Sequence, residues 1–234
     1  MLARFFSFLM ISALVAFVLA AALPGPHRIA FPGAYGLTEV SDGVWTDAPE
    51  RADALRATAN EARRNVQDFF DGPLRKPTLV LCATTACAED FGIGGNGLSV
   101  AHLGILVSPG GLTEGTLTHE MTHFRLHRSM GVRNIWAQPY PTWFDEGLAT
   151  HVANHPRWSG EITQAARAQI RKVDRFWKLR GAFEELGVGR TYRAAADEVA
   201  TIEGRVGRDG LLELINRAEA GEDFDALLIE MGTR

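Results

Sequence analysis

Cysteine, tyrosine and methionine are scarce in this 234-residue chain, at two, three and five residues. Two cysteines exclude a disulfide scaffold and a four-cysteine zinc ribbon. A basic excess is also missing. The chain has 24 Lys and Arg against 28 Asp and Glu, for a formal net charge of −4, which argues against a general nucleic-acid binder. There is no internal repeat and no low-complexity tract. Mean hydropathy is −0.04, with 46% hydrophobic and 22% charged residues. That balance excludes a disordered chain, a fibrous protein and a polytopic membrane protein. The length suits one medium domain, or two small ones packed tightly, with a sizeable core.

The one long apolar run lies at the start. Arg4 supplies a positive charge, and Phe5 to Leu23 carries none. Ala20, Ala21 and Ala22 form a small-residue cleavage pattern before Pro24-Gly25-Pro26. Residues 1–23 read as an export signal. As a helix the apolar run spans about 28 Å, near the roughly 30 Å of a bilayer interior, so a retained signal anchor is the alternative. Either reading puts the rest of the chain outside the cytoplasm, in the periplasm or beyond, secreted or held at the membrane through residues 5–23. In that oxidising setting Cys82 and Cys87 are expected to form a local disulfide, contributing about 2 kcal/mol. The alternative is two buried thiols.

Residues 24–48 are rich in Gly and Pro and read as a linker or irregular wrap. Pro49 to Phe70 has the period of an amphipathic helix, with Leu55, Ala59, Ala62 and Val66 on one face. Asp71-Gly72-Pro73 ends it. Pro77 to Cys82 reads as a strand, Gly92 to Gly97 as a glycine-rich turn, and Leu98 to Ser108 as strand or hairpin. Thr113 is placed to cap a helix running to about Met130, and Thr142 to cap another ending near Asn154. Residues 160–186 and 192–232 are helical by period, with glycine breaks near 187–189, 204–210 and 221. This order predicts an α+β fold, with a small mixed lobe over 49–131 and a helical lobe over 132–234.

Three of the seven histidines fall within nine residues. His119-Glu120-Met121-Thr122-His123 is the pattern HExxH. Four helical residues turn about 400° and rise about 6 Å, so both imidazoles leave one face, one turn apart. Two neutral nitrogens so placed can reach one Zn²⁺ at about 2.1 Å. Glu120 lies about 100° round the helix, beside the metal, where it can take a proton from a water and pass it to a leaving amine. The alternative is a helix with two surface histidines and an incidental glutamate.

A catalytic zinc site needs a third protein ligand and an open position. His127 lies about 12 Å along the helix from His119, too far to share one metal with it. Leu126 and Ser129 break the longer pattern HExxHxxGxxH. Glu146, in Trp143-Phe144-Asp145-Glu146-Gly147-Leu148-Ala149, fits as the third ligand from a second helix. Gly147 and Ala149 permit close helix packing beside it.

His-Glu-Met-Thr-His, followed after 22 residues by the glutamate of WFDEGLATHVA, resembles the gluzincin metalloproteases. The likeness is to the peptidase MA-like branch, with its W-x-x-E-G-[FL]-A pattern, and covers about residues 98–155, with a weaker echo over 192–215. The resemblance implies a zincin-like fold, one zinc ion held by His119, His123 and Glu146, and Glu120 as catalytic base. It also implies a Tyr or His that stabilises the oxyanion, for which Tyr192 is the first candidate and Tyr140 the second. Thermolysin-like members carry an Asp four residues after the glutamate ligand, where this chain has Thr150. Gluzincin aminopeptidases carry an acidic G-x-M-E-N loop, whereas GIGGNGLSV here has no acidic residue, which points to an endopeptidase.

Asp145 is a candidate partner of a ligand histidine, the alternative being a charge placed for the helix dipole. His102, His151 and His155 read as surface or capping residues, and Trp143 as a core anchor. The strand near Leu98 to Val107 is either a cleft edge that pairs with an extended substrate or an interior strand. Two functions remain open at this level. One is an exported zinc peptidase acting on peptide or protein substrates. The other is a non-catalytic envelope module that keeps a zincin scaffold to bind a protein partner.

Overall fold

The computed structural model describes residues 24–100, 103–129, 138–154 and 162–233. The proposed signal or anchor segment, most of the 131–141 loop, His102 and His155 lie outside the described residues. Among those described, no helix is long and apolar enough to cross a membrane.

The chain is mixed α/β. Strands β1 (Thr38–Ser41), β2 (Val44–Thr46), β3 (Thr78–Leu81), β4 (Gly97–Val100) and β5 (Gly104–Val107) form one sheet in the order β1-β2-β3-β5-β4. The three central strands are parallel, and β1 and β4 run antiparallel at the two edges. Side chains alternate between faces along a strand. Leu79, Leu81, Ile105 and Val107 therefore join the main core, with Leu55, Val66, Leu117 and Met121. Val80 and Leu106 turn to the opposite face and pack with Ile29, Leu37 and Phe91. Burial on both faces explains the unbroken apolar run of β3.

Residues 24–48, expected as a linker or irregular wrap, are part of this lobe. They supply β1 and β2, and two 3₁₀ turns, Pro26–Ala30 and Pro32–Tyr35, whose side chains cover the second sheet face. Strands of four and three residues are too short to display an alternating pattern, and the glycines and prolines around them mask it.

Helix α1 (Ala52–Phe70) follows a 3₁₀ turn over Pro49–Arg51 and buries Leu55, Ala59, Ala62 and Val66 as expected. It ends at Asp71, whose φ of 46° is left-handed. The short helix α2 (Thr85–Asp90) shows no period in six residues, but the Thr84 hydroxyl caps it by accepting from the Cys87 N–H at 3.2 Å. Cys82 and Cys87 form the expected disulfide, which ties the end of β3 to α2.

Helix α3 (Glu114–Leu126) carries HExxH. The Thr113 hydroxyl caps it by accepting from the Thr116 N–H at 3.2 Å, and Glu114 sits in the first turn, where the helix dipole favours a negative charge. Leu117, Met121 and Phe124 anchor it in the core. Helix α4 (Thr142–Ala153) carries the second motif. Thr142 is its first helical residue rather than its cap. The free N–H groups of Thr142 and Trp143 instead reach the carbonyls of Asp174 and Val173, at 3.3 and 2.8 Å, which satisfies them without a capping side chain. Trp143 is a buried anchor, edge-on to Phe144 and Phe224.

Helices α5 (Gln164–Ile170), α6 (Leu179–Leu186), α7 (Val188–Glu219) and α8 (Phe224–Glu230) complete the helical lobe. Gly187, Gly207 and Gly221 all have positive φ and mark the expected breaks. At Gly207, whose φ of 75° and ψ of 174° are non-helical, the run divides into two helices across a kink. Helix α4 crosses α7 at Gly147, where a Cβ would lie 2.5 Å from the Ala195 carbonyl oxygen. Only glycine allows that approach, and it brings Glu146 over the histidines of α3.

Candidate metal centre

His119 and His123 project one turn apart from α3, as their spacing requires, and their Nε2 atoms are 3.1 Å apart. Glu146 reaches over from α4 and sets its Oε2 3.4 Å from His119 Nε2 and 3.3 Å from His123 Nε2. All three residues belong to one group able to hold a metal ion. Four ligand atoms on a tetrahedral ion, each bonded at about 2.0–2.1 Å, stand roughly 3.3–3.4 Å from one another. The observed spacings match those edges. Glu146 Oε2 is moreover buried and faces the two imidazole nitrogens, so a cation between them would balance its charge away from water. Two nitrogens and one oxygen suit a divalent ion such as zinc.

Burial would push the Glu146 carboxyl up, but His123 and His119 oppose it and hold it down at about 2. Glu146 is thus ionised at neutral pH. For His123, burial alone would lower the pKa, and the facing carboxylates of Asp145 and Glu146 raise it well above the ordinary imidazole value.

Asp145 completes the orientation of His123. Its Oδ1 accepts from His123 Nδ1 at 3.2 Å, while Nε2 faces Glu146. Two adjacent residues of α4 thus engage the two nitrogens of one ring. This fixes Nδ1 as the protonated nitrogen and leaves Nε2 available to a metal ion. Thr150, in the slot where thermolysin-like enzymes carry an orienting Asp, is buried and does not take that part. Asp145 does so from the position before the glutamate. His127 Nε2 donates to Asp145 Oδ2 at 2.9 Å, so the third histidine of the stripe steadies the carboxylate. His123, His127 and Asp145 form a second group with metal-ligand spacing, but each close pair in it is at hydrogen-bond distance to Asp145. If the group of His119, His123 and Glu146 holds a divalent ion, replacing Asp145 with alanine is expected to lower affinity for it about 10–100-fold, as read by competition with a chromophoric chelator.

Glu120 lies in the same cleft, buried, on the side facing β4. Burial raises its pKa, and Glu146 adds to the rise; the histidines and the Ser99 backbone N–H, which lies within hydrogen-bonding reach, oppose it. Tyr192, on α7, sets its ring edge-on to His119 with centroids 5.8 Å apart. Burial, with Glu146 and Glu120 nearby, raises its phenol well above the ordinary value. It stays protonated and can donate. The cleft has a volume of about 360 Å³, and Leu98, Gln138 and Phe176 also line it.

Tyr140 is not part of the site. Its buried hydroxyl donates to the Leu126 carbonyl at 2.9 Å and pins the end of α3, so the second oxyanion candidate is a structural tyrosine. His151 pairs with Glu203 at 2.5 Å, away from the cleft residues. Sequence reasoning missed the Asp145–His127 contact and the placement of Phe176. A spacing of 18 residues across two helices carries no pattern for the first, and Phe176 lies in a 3₁₀ turn outside every motif. No protein-family model, curated protein or solved structure matches this chain.

Proposed function

We propose that this chain is an exported zinc-dependent peptidase of the gluzincin type on a zincin-like fold, with endopeptidase activity on peptide or protein substrates. His119, His123 and Glu146 would hold the zinc. The observation that carries the reading is the meeting of three ligand atoms, 3.1 to 3.4 Å apart, beside a buried glutamate in an open cleft.

Bound there, zinc supplies Lewis acidity that polarises a carbonyl and acidifies water. The chain's residues do the rest. Glu120 accepts the proton of the attacking water, and its raised pKa makes it a stronger base than an exposed carboxylate. It then carries that proton to the departing nitrogen. The protonated Tyr192 hydroxyl donates to the oxygen on which negative charge builds. Strand β4 is a sheet edge and lines the cleft through Gly97, Leu98 and Ser99. An extended peptide can add to it as a further strand, which favours a substrate with a continuous backbone.

Purified full-length protein is expected to hold about one zinc per chain by elemental analysis, as a single three-ligand site requires. It should cleave casein, lose that activity on chelation and regain it with zinc. Cleavage that persists in metal-free protein would overturn the reading. Zinc-loaded protein inert across a peptide library would favour the non-catalytic binding module.

A further inference from the structure

The glycine-rich segment before β4 contains Gly92, Gly94, Gly95 and Gly97, which differ sharply in their surroundings. At Gly94 and Gly95 an added Cβ would meet nothing within 4 Å. At Gly97 it would lie 2.7 Å from both Cγ and Oε1 of Glu120 and 2.9 Å from Cδ. Carbon contacts settle at about 3.5–4.0 Å, so no side chain fits between this strand and the glutamate. The backbone of β4 is itself the wall against which the Glu120 carboxylate rests.

That wall cannot retreat easily. Gly97 pairs with Val107 in the ladder with β5. The preceding carbonyl, of Asn96, accepts from the Ser108 N–H at 3.0 Å. Behind it stands Gly111, where a Cβ would lie 1.9 Å from that same carbonyl oxygen. The strand is therefore wedged in place from the far side. If atoms are added at position 97, the Glu120 side chain must yield, because it ends in rotatable bonds while the strand is fixed at both neighbours.

We infer that Gly97 is a positioning residue: its missing side chain makes the seat that aims the Glu120 carboxylate at the centre between the histidines. The inference rests on the reading of Glu120 as the proton acceptor. The glycine-rich loop thus shapes the base rather than gripping the substrate amino terminus, which agrees with its lack of an acidic residue.

The test compares Gly97→Ala with Gly95→Ala in the full-length protein. Gly97→Ala is expected to lower kcat on a peptide substrate about 10–100-fold, since a displacement near 1 Å can cost that much. KM should move less than kcat, because the added methyl meets the Glu120 carboxylate at 2.7 Å, and zinc content should stay near wild type, because the ligands do not change. Gly95→Ala should leave all three unchanged. Glu120→Asp withdraws the carboxylate by one methylene and removes the clash. The double variant Gly97→Ala/Glu120→Asp should then be no slower than Glu120→Asp alone, a non-additivity that marks a direct coupling. A folded, zinc-replete Gly97→Ala with wild-type kcat would overturn the inference, as would multiplicative losses in the double variant.

A second readout does not depend on turnover. The Ser99 amide resonance, followed by ¹⁵N NMR, should shift more on Gly97→Ala when Glu120 is present than in a Glu120→Ala background, as the carboxylate leaves it, and hold still in Gly95→Ala. If wild type proves inert on peptides but the Ser99 amide shifts as expected, the peptidase reading fails while the seat for Glu120 stands. If wild type is active and Ser99 does not move, the seat fails alone.

Discussion

Glu120→Gln should abolish peptide cleavage while leaving the protein folded and its zinc in place. The amide has the shape of the carboxylate and can still accept from the Ser99 N–H, but it cannot take a proton from water. General-base assistance is worth about 10²–10⁴-fold, so kcat/KM should fall by at least that order. Stability should not fall with it. In the metal-free folded chain burial raises the pKa of Glu120, so above that pKa its ionised form costs folding free energy. A neutral amide removes that cost. The expected signature is therefore lost turnover with wild-type zinc content in the loaded protein, and an unchanged or higher melting temperature in the metal-free protein. A variant that retained cleavage would eliminate Glu120 as the base.

Glu146→Gln should behave differently. The residue is held ionised by the two histidines facing it, and its Oε2 is the third corner of the proposed ligand triangle. Glutamine removes the charge and substitutes a weak neutral donor. Two histidines on one helix then hold the ion alone, so zinc affinity should drop by about 100-fold or more, exceeding the loss seen when a ligand's supporting partner is removed. Activity should fall in parallel and return in part at high added zinc. The pair of variants separates the roles: one keeps metal without turnover, the other loses both. Equal zinc affinity in Glu146→Gln and wild type, measured by chelator competition, would remove Glu146 from the ligand set.

Much of this was legible in the residues. Helix α3 and its cap follow from local signals: Thr113 before Glu114, then Leu117, Met121 and Phe124 on the core side. The 3.6-residue period alone puts His119 and His123 on one face. The Cys82–Cys87 link follows from a short loop, given the oxidising setting that the export reading expects. Glycine punctuation places the breaks at 187, 207 and 221, and at Gly207 a non-helical φ and ψ divide the run into two helices across a kink.

What the chain determines by itself is thus whatever depends on neighbours within a turn or two: periodicity, caps, and which face carries the imidazoles. The crossing of α4 over α3 was decided elsewhere, by close packing at Gly147 against Ala195. The same holds for the second bond to His123 from Asp145, the inward placement of Tyr192 with Tyr140 left out, and the fit of Glu120 against Gly97. Such contacts join residues far apart in sequence, and their distances follow from the packing of whole elements. No spacing rule carries that information, because side chains from separate elements meet only once the core has set the angles between them.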